Sequence, residues 1–395
     1  MILPFSFASI PYIIFGTGKL IELYNIIPKF GNNILFVIGG NSLKQSGKWN
    51  EIRTNLEKKS INFYSVSIGG EPSPTVIDNI VSEHRDKNLN LIIGIGGGSV
   101  TDAGKAISAM LTKDDSVKNY LEGVGNKIHD GKKIPYIAIP TTSGTGSEAT
   151  KNAVISELGS EGFKKSLRHD NLIPNISIID PELMISCPRS ISAACGMDAF
   201  TQLLEAYVSA KANPITDALA YSGMKHIGEN ILRACSTEAS NVNVRACMAY
   251  GSLMSGIVLA NAGLGIVHGL ASPIGGYFNI PHGVICGTLL AEATKVNIET
   301  LEKKGLEGKL GLKKYAQIGA LLIGEQCVEE IMIHEYCLKL INMLEKWTKI
   351  LEIDTLGRYG VEKKYADKIV ENAGLKNNPV ELTKEQIKNI IYKRI

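Results

Sequence analysis

The sequence predicts an α/β domain built on a mostly parallel sheet, followed by an all-helical domain. Three observations carry this. Four short apolar runs, at 33–38, 61–68, 90–95 and 135–139, are each followed by glycine or proline punctuation and then a helical stretch. From about residue 190 the β-branched runs stop and helical periodicity takes over. Pro181 and Pro188 bracket the change in composition, which divides the chain into 1–185 and 186–395.

At 395 residues the chain exceeds what one ordinary core organises, so two domains are expected. With 42 basic against 39 acidic residues the net charge is +3, and no basic run marks a nucleic-acid surface. Seven cysteines (Cys187, Cys195, Cys235, Cys247, Cys286, Cys327 and Cys337) form an odd set without a C-x-x-C pair, which reads as reduced buried thiols. No basic residue precedes Lys19, so a secretory signal is not expected and the cytoplasm is the expected compartment.

The run at 33–38 ends in Gly39-Gly40 and continues through Ser42 and Lys44. The run at 90–95 enters Gly94-Ile-Gly-Gly-Gly-Ser-Val-Thr-Asp-Ala-Gly-Lys105. Glycines 96–98 let the backbone approach a diphosphate, and free amides at the start of the next helix attract its charge. Ser99 is expected to cap that helix, with Asp102 completing a capping box. The spacing matches neither G-x-G-x-x-G nor a Walker A loop, and by itself it also suits a plain tight turn. The run at 135–139 delivers Pro140-Thr-Thr-Ser-Gly-Thr-Gly-Ser-Glu-Ala-Thr150, a loop rich in hydroxyls and free amides. Two polar glycine loops after two strands of one sheet describe a nucleotide cleft.

In the second half, helices are expected at 193–209, 215–234, 243–259 and 331–351. Offsets of four and seven set Asp198, Gln202 and Glu205 on one helix face. Residues 246–291 contain no Asp, Glu, Lys or Arg, and their only histidines are His268 and His282. A membrane span needs about 20 consecutive apolar residues; Asn261, His268, Pro273, Asn279 and Pro281 interrupt every window, so a buried core is expected instead. A histidine in such a core is either a satisfied packing residue or a ligand. Two imidazoles beside an acidic helix suit a divalent ion left open to substrate.

Gly96-Gly-Gly-Ser-x-x-Asp-x-x-Lys105, Pro140-Thr-Thr-x-Gly-Thr-Gly-Ser-Glu148, Gly196-Met-Asp-Ala with Glu205-Ala-Tyr, and His268 with Pro281-His282-Gly together resemble the iron-containing, or group III, alcohol dehydrogenase family. Phe15-Gly-x-Gly18, Glu71-Pro-x-Pro-Thr75, Asp180-Pro-Glu-Leu183 and Asn377-Asn-Pro379 extend the likeness over nearly the whole chain. The resemblance implies a dehydroquinate synthase-like fold, with a dinucleotide-binding domain, a helical domain and a cleft between them. It also implies a homodimer acting on a small alcohol or aldehyde, with NAD or NADP and a divalent metal, Fe or Zn. Asp198, His268 and His282 would be the catalytic metal ligands, with Gln202 at a fourth ligand position. Gly39, Ser42, Gly96, Gly97, Gly98, Ser99, Asp102, Thr141, Thr142, Thr145, Lys164 and Leu183 would contact the cofactor.

Two positions depart from the family pattern. Its iron enzymes usually carry a histidine where this chain has Gln202, and often another where it has Ser272; the glycerol dehydrogenase branch instead holds zinc with three protein ligands. A metal-free reductase resembling maleylacetate reductase is therefore the alternative reading. A lyase resembling dehydroquinate synthase would need a basic cluster near His268 and His282, which the sequence lacks. A third possibility is a non-catalytic nucleotide binder. Gly39 stands where NAD-preferring members often have Asp, and Ser42 and Lys44 are available to a phosphate, so NADP is expected over NAD.

Overall fold

A computed structural model describes residues 4–40, 42–325 and 329–395; Cys327 lies outside the described residues. One sheet is made of β1 (Tyr12–Phe15), β2 (Asn33–Gly39), β3 (Asn62–Ile68), β4 (Leu91–Gly96), β5 (Tyr136–Pro140) and β8 (Ile176–Ile179). Every pairing in it is parallel, and the order is β1-β8-β5-β4-β2-β3. β6 (Asn152–Glu157) and β7 (Phe163–Arg168) form a separate antiparallel hairpin.

The runs expected from sequence are β2 to β5, each displaced by no more than one residue at either end. The near-continuous hydrophobicity of β2, β4 and β5 follows from burial on both faces, whereas β3, at the edge of the sheet, is largely exposed and carries Asn62, Ser65 and Ser67. Leu35 and Val37 of β2, Ile92 of β4, and Tyr136 and Ala138 of β5 enter one core cluster. Ile34, Phe36 and Ile38, Ile93 and Ile95, and Ile137 and Ile139 enter the other. This is the two-residue alternation of a strand with no solvent side. Sequence reading does not single out β1, β6, β7 or β8. β1 and β8 span four residues each, and β7 (FKKSLR) is too polar to stand out from a loop.

Helices α1 (Leu23–Ile26), α2 (Ser42–Gln45), α3 (Lys48–Lys58), α4 (Pro74–His84) and α5 (Gly98–Met110) accompany the sheet. After β8 ends at Ile179, the chain is helical among the described residues: α6 (Arg189–Val208), α7 (Pro214–Ala234), α8 (Val242–Ala262), α9 (Ile266–Tyr277) and α10 (His282–Lys303). α11 (Lys309–Leu322), α12 (Ile333–Ile350), α13 (Ala366–Asn372) and α14 (Lys384–Tyr392) complete it. The four helices expected from periodicity are α6, α7, α8 and α12. Their buried side chains, with those of α9 and α10, make one large core.

The charge-free stretch 246–291 forms most of α8, all of α9 and the start of α10. By length and composition α8 passes for a membrane span, but 67% of its apolar window is buried inside the fold. Two glycines bring the 140–150 loop onto this helix. A Cβ on Gly256 would stand 2.1 Å from the carbonyl oxygen of Gly146, whose own φ is +60°. Gly256→Ala should therefore lower the unfolding free energy by about 1–3 kcal/mol, read from the urea midpoint. An unchanged midpoint would show that the contact yields freely.

Candidate functional site

β2 has β3 on one side and β4 on the other, so strand order reverses there. The carboxyl ends of β2 and β4 thus flank the crevice where open α/β sheets take ligands. Gly39 closes β2 and Gly96 closes β4. α5 begins at Gly98 with Gly97 as its N-cap, and no side chain caps it. This corrects the expected Ser99 cap, because Ser99 lies inside the first turn. Asp102 is likewise not a capping residue. Its carboxylate is buried, accepts from Ser147 Oγ at 2.5 Å and stands 4.0 Å from Lys105 Nζ. Glycine tolerates the cap position, and the threonine loop crowds a side chain at 97 and excludes one at 98. A Cβ on Gly97 would stand 3.3 Å from Thr142 Oγ1, and one on Gly98 2.8 Å from Thr145. The Thr141 amide donates to the Gly96 carbonyl at 2.9 Å. The two glycine loops are therefore one continuous surface of backbone amides and threonine hydroxyls, at the start of a helix whose dipole favours an anion.

The second part of the site is assembled from three helices. His268 sits in the first turn of α9 and is 4% exposed. Its Nδ1 lies 2.7 Å from Glu205 Oε2, and the other Glu205 oxygen accepts the Val267 amide at 2.7 Å. One carboxylate from α6 thereby binds the amino end of α9 and orients the imidazole. Gly265 makes this possible, since a Cβ there would meet Glu205 Oε1 at 2.9 Å. His268 Nε2 is then directed to Asp198 Oδ1, 3.3 Å away. His282, the first residue of α10, places its Nε2 3.8 Å from the same oxygen. Cys286, one turn further along α10, holds Sγ 3.6 Å from His268 Nε2 and 3.7 Å from His282 Nε2.

These four donor atoms all lie within 4.8 Å of one another. The donor set fits a divalent first-row ion. Burial works against ionisation of Asp198, but His282, His268 and Cys286 more than offset it and hold the carboxyl at about 2. Burial pushes the Cys286 thiol up to about 12. The two imidazoles diverge. Burial works against protonation of His268, but the Glu205 carboxylate and the Asp198 contact overcome it and raise the imidazole. His282 is lowered to about 4, chiefly by burial.

The remaining expected residues are distributed as follows. Gln202 is buried one turn after Asp198, and its Oε1 has no hydrogen-bond partner among the described residues. Lys164, on β7, is ion-paired with Glu71, whose second oxygen accepts from Ser156 Oγ at 2.6 Å. It packs against α9, since a Cβ on Gly275 would stand 3.2 Å from Lys164 Cδ. Leu183 lies in the sheet core that also contains Leu43, Ile95 and Ile139. Ser42 opens α2 past the end of β2, and Lys44 Nζ reaches 3.5 Å from Ser67 Oγ on β3.

Residues 11–181 match the family described as iron-containing alcohol dehydrogenase, and residues 192–395 match the Fe-containing alcohol dehydrogenase family, C-terminal. The chain belongs to the iron-containing alcohol dehydrogenase family. It is 32% identical over 400 residues to alcohol dehydrogenase 4 of Schizosaccharomyces pombe, covering 98% of this chain and 89% of that one. It is 36% identical over 277 residues to long-chain-alcohol dehydrogenase 1 of Geobacillus thermodenitrificans, covering 70% of this chain and 69% of the relative. A crystal structure of 1,3-propanediol oxidoreductase superposes with a TM-score of 0.86 at 27% identity, covering 100% of both chains. In this family member, sequence reading passed over two residues of the cluster and its surroundings. Cys286 lies four residues after His282, so helical spacing was the signal available for it. Glu205 was placed on the right face but given no role.

The threonine loop of this family member is held from within by Lys105. Its buried Nζ donates to the Ser147 carbonyl (2.8 Å), Thr150 Oγ1 (2.9 Å) and the Asn152 carbonyl (2.7 Å). Burial lowers the Lys105 amine to about 8 and raises the neighbouring Glu148 carboxyl to about 7 from its ordinary 4.5. A carboxyl raised by folding contributes stability that is present below its unfolded pKa and lost as pH climbs through the folded one. Between pH 4.5 and about 7, Glu148 should therefore lower stability by at most ~1.4 kcal/mol per pH unit. Urea denaturation of wild type and Glu148→Gln across that window should show the slope weakened in the variant. Parallel curves would mean that Glu148 ionises in the fold as it does unfolded.

Proposed function

We propose that the chain transfers a hydride between NADP(H) and a small alcohol or aldehyde, with Asp198, His268 and His282 holding a divalent metal, iron or zinc. The observation that carries this is the convergence of their donor atoms, from α6, α9 and α10, on one buried point. A cation bound there supplies Lewis acidity toward the substrate oxygen. Everything else is done by the chain's own groups. Glu205 keeps His268 Nε2 aimed at the cluster, in the manner of carboxylate–histidine support of a metal site. Gly96, Gly97, Gly98 and Ser99 offer amides to a diphosphate, and Thr141, Thr142 and Thr145 offer hydroxyls to the rest of the cofactor. The cluster supports this metal-dependent reading over a metal-free reductase.

Three measurements test the metal. Elemental analysis of protein purified without chelator should find the metal, EDTA should abolish NADPH-linked aldehyde reduction, and His268→Ala should lose both metal and activity. Turnover that survives complete metal removal would refute the Lewis-acid role.

The cofactor preference rests on the end of β2. The family contains members named as NAD-dependent and as NADPH-dependent. An acidic side chain at that strand end would bind the ribose hydroxyls and repel a 2′-phosphate. Here the position is Gly39, and Lys44 brings a positive charge beside the end of β3. Gly39→Asp should shift the NADPH to NADH ratio of kcat/KM toward NADH by roughly tenfold, about 1.4 kcal/mol. A wild-type enzyme that already prefers NADH would remove the case for NADP.

A further inference from the structure

We propose that Cys286 Sγ is a fourth protein ligand of the metal, giving an Asp-His-His-Cys centre. This rests on the metal-dependent reading above and adds a donor to it. Ideal tetrahedral coordination at the usual Zn–S length of about 2.3 Å and Zn–N length of about 2.1 Å separates sulfur and nitrogen by roughly 3.6 Å. The two Sγ to Nε2 distances are 3.6 and 3.7 Å. The same arithmetic puts nitrogen and carboxylate oxygen roughly 3.4 Å apart, against 3.3 and 3.8 Å for the two histidines and Asp198 Oδ1. Four of the six edges of a coordination tetrahedron are thus within about 0.4 Å of their ideal lengths, and all four atoms lie within 4.8 Å of one another.

The backbone holds Cys286 there. It shares a helix face with His282, and two glycines flanking it let α10 lie close on α6, which carries Asp198. A Cβ on Gly283 would stand 2.3 Å from the Ala194 carbonyl oxygen, and one on Gly287 2.9 Å from Met197 Cβ. The side chain is fully buried, and its hydrogen-bonding neighbours are the cluster's two imidazoles. On binding, the thiol proton leaves to solvent as the sulfur–metal bond forms, with no change of oxidation state. A thiolate softens the donor set and favours zinc or cobalt over iron relative to an all-imidazole and carboxylate set. With Asp198, His268, His282 and Cys286 as donors, the site would have to accept a substrate oxygen by expanding its coordination, as catalytic zinc sites can.

Stripped wild-type protein reloaded with Co(II) alone should bind it stoichiometrically and show an intense near-ultraviolet thiolate-to-cobalt absorption. Cys286→Ser should lose that band, keep the visible cobalt bands, and bind Zn(II) roughly tenfold or more weakly. X-ray absorption at the zinc edge of the wild type needs no variant, and should show one sulfur scatterer at about 2.3 Å. A first shell of nitrogen and oxygen only, or a charge-transfer band that persists in Cys286→Ser, would overturn the thiolate ligand and leave the Asp-His-His reading standing. Failure of the wild type to retain Co(II), Zn(II) or Fe(II) would overturn both.

Discussion

The site depends on the carboxylate of Glu205. It spans α6 and α9, with one oxygen on the Val267 amide and the other on His268 Nδ1. The first contact places negative charge at a helix amino terminus, where the dipole favours it. The second fixes which imidazole nitrogen is left to meet Asp198. A single buried group therefore sets both the position of a helix and the orientation of a ligand on it. Asp198 and Glu205 come from the same helix, so the geometry of α6 is transmitted directly to the cluster.

Close approach of backbones does for the rest of the site what Glu205 does for His268. Gly265 admits the carboxylate, Gly283 and Gly287 let α10 settle on α6, and Gly256 meets Gly146 where the threonine loop touches α8. The same loop is held on its other side by Lys105, whose ammonium replaces water with two carbonyls and a hydroxyl. The cofactor surface and the metal cluster are thus parts of one packed arrangement. A buried lysine that fully satisfied by its neighbours is a positioning element for the loop rather than a free charge.

Much of this is legible in the sequence. Strands β2, β4 and β5 announce themselves because both their faces are buried, which leaves the interior of each run apolar; the edge strand β3 keeps Ser65 and Ser67 and is mostly exposed. β1, β6, β7 and β8 were silent, being too short or too polar to differ from loop. His268 and His282 stood out because no charged residue surrounds them in sequence. The charge that does meet them comes from α6, more than sixty residues away. The Ser99 cap failed because the helix begins before Ser99, at Gly98; the need for glycine at 98 is tertiary, since Thr145 from the next strand's loop occupies the space a side chain there would need.

By itself the sequence determined the class of each half, the two glycine loops and the family, and it singled out Asp198, His268 and His282, whose donor atoms the fold brings together. Those follow from periodicity, composition and ordered motifs, which are properties of neighbours along the chain. Only the tertiary structure decided that Glu205 orients His268, that Asp102 and Lys105 turn into a buried network, and that Cys286 joins the cluster. Such roles are set by which helices and loops pack together and how closely their backbones approach. No local pattern encodes a 3.6 Å separation between Cys286 Sγ and His268 Nε2, residues on two helices joined by a turn.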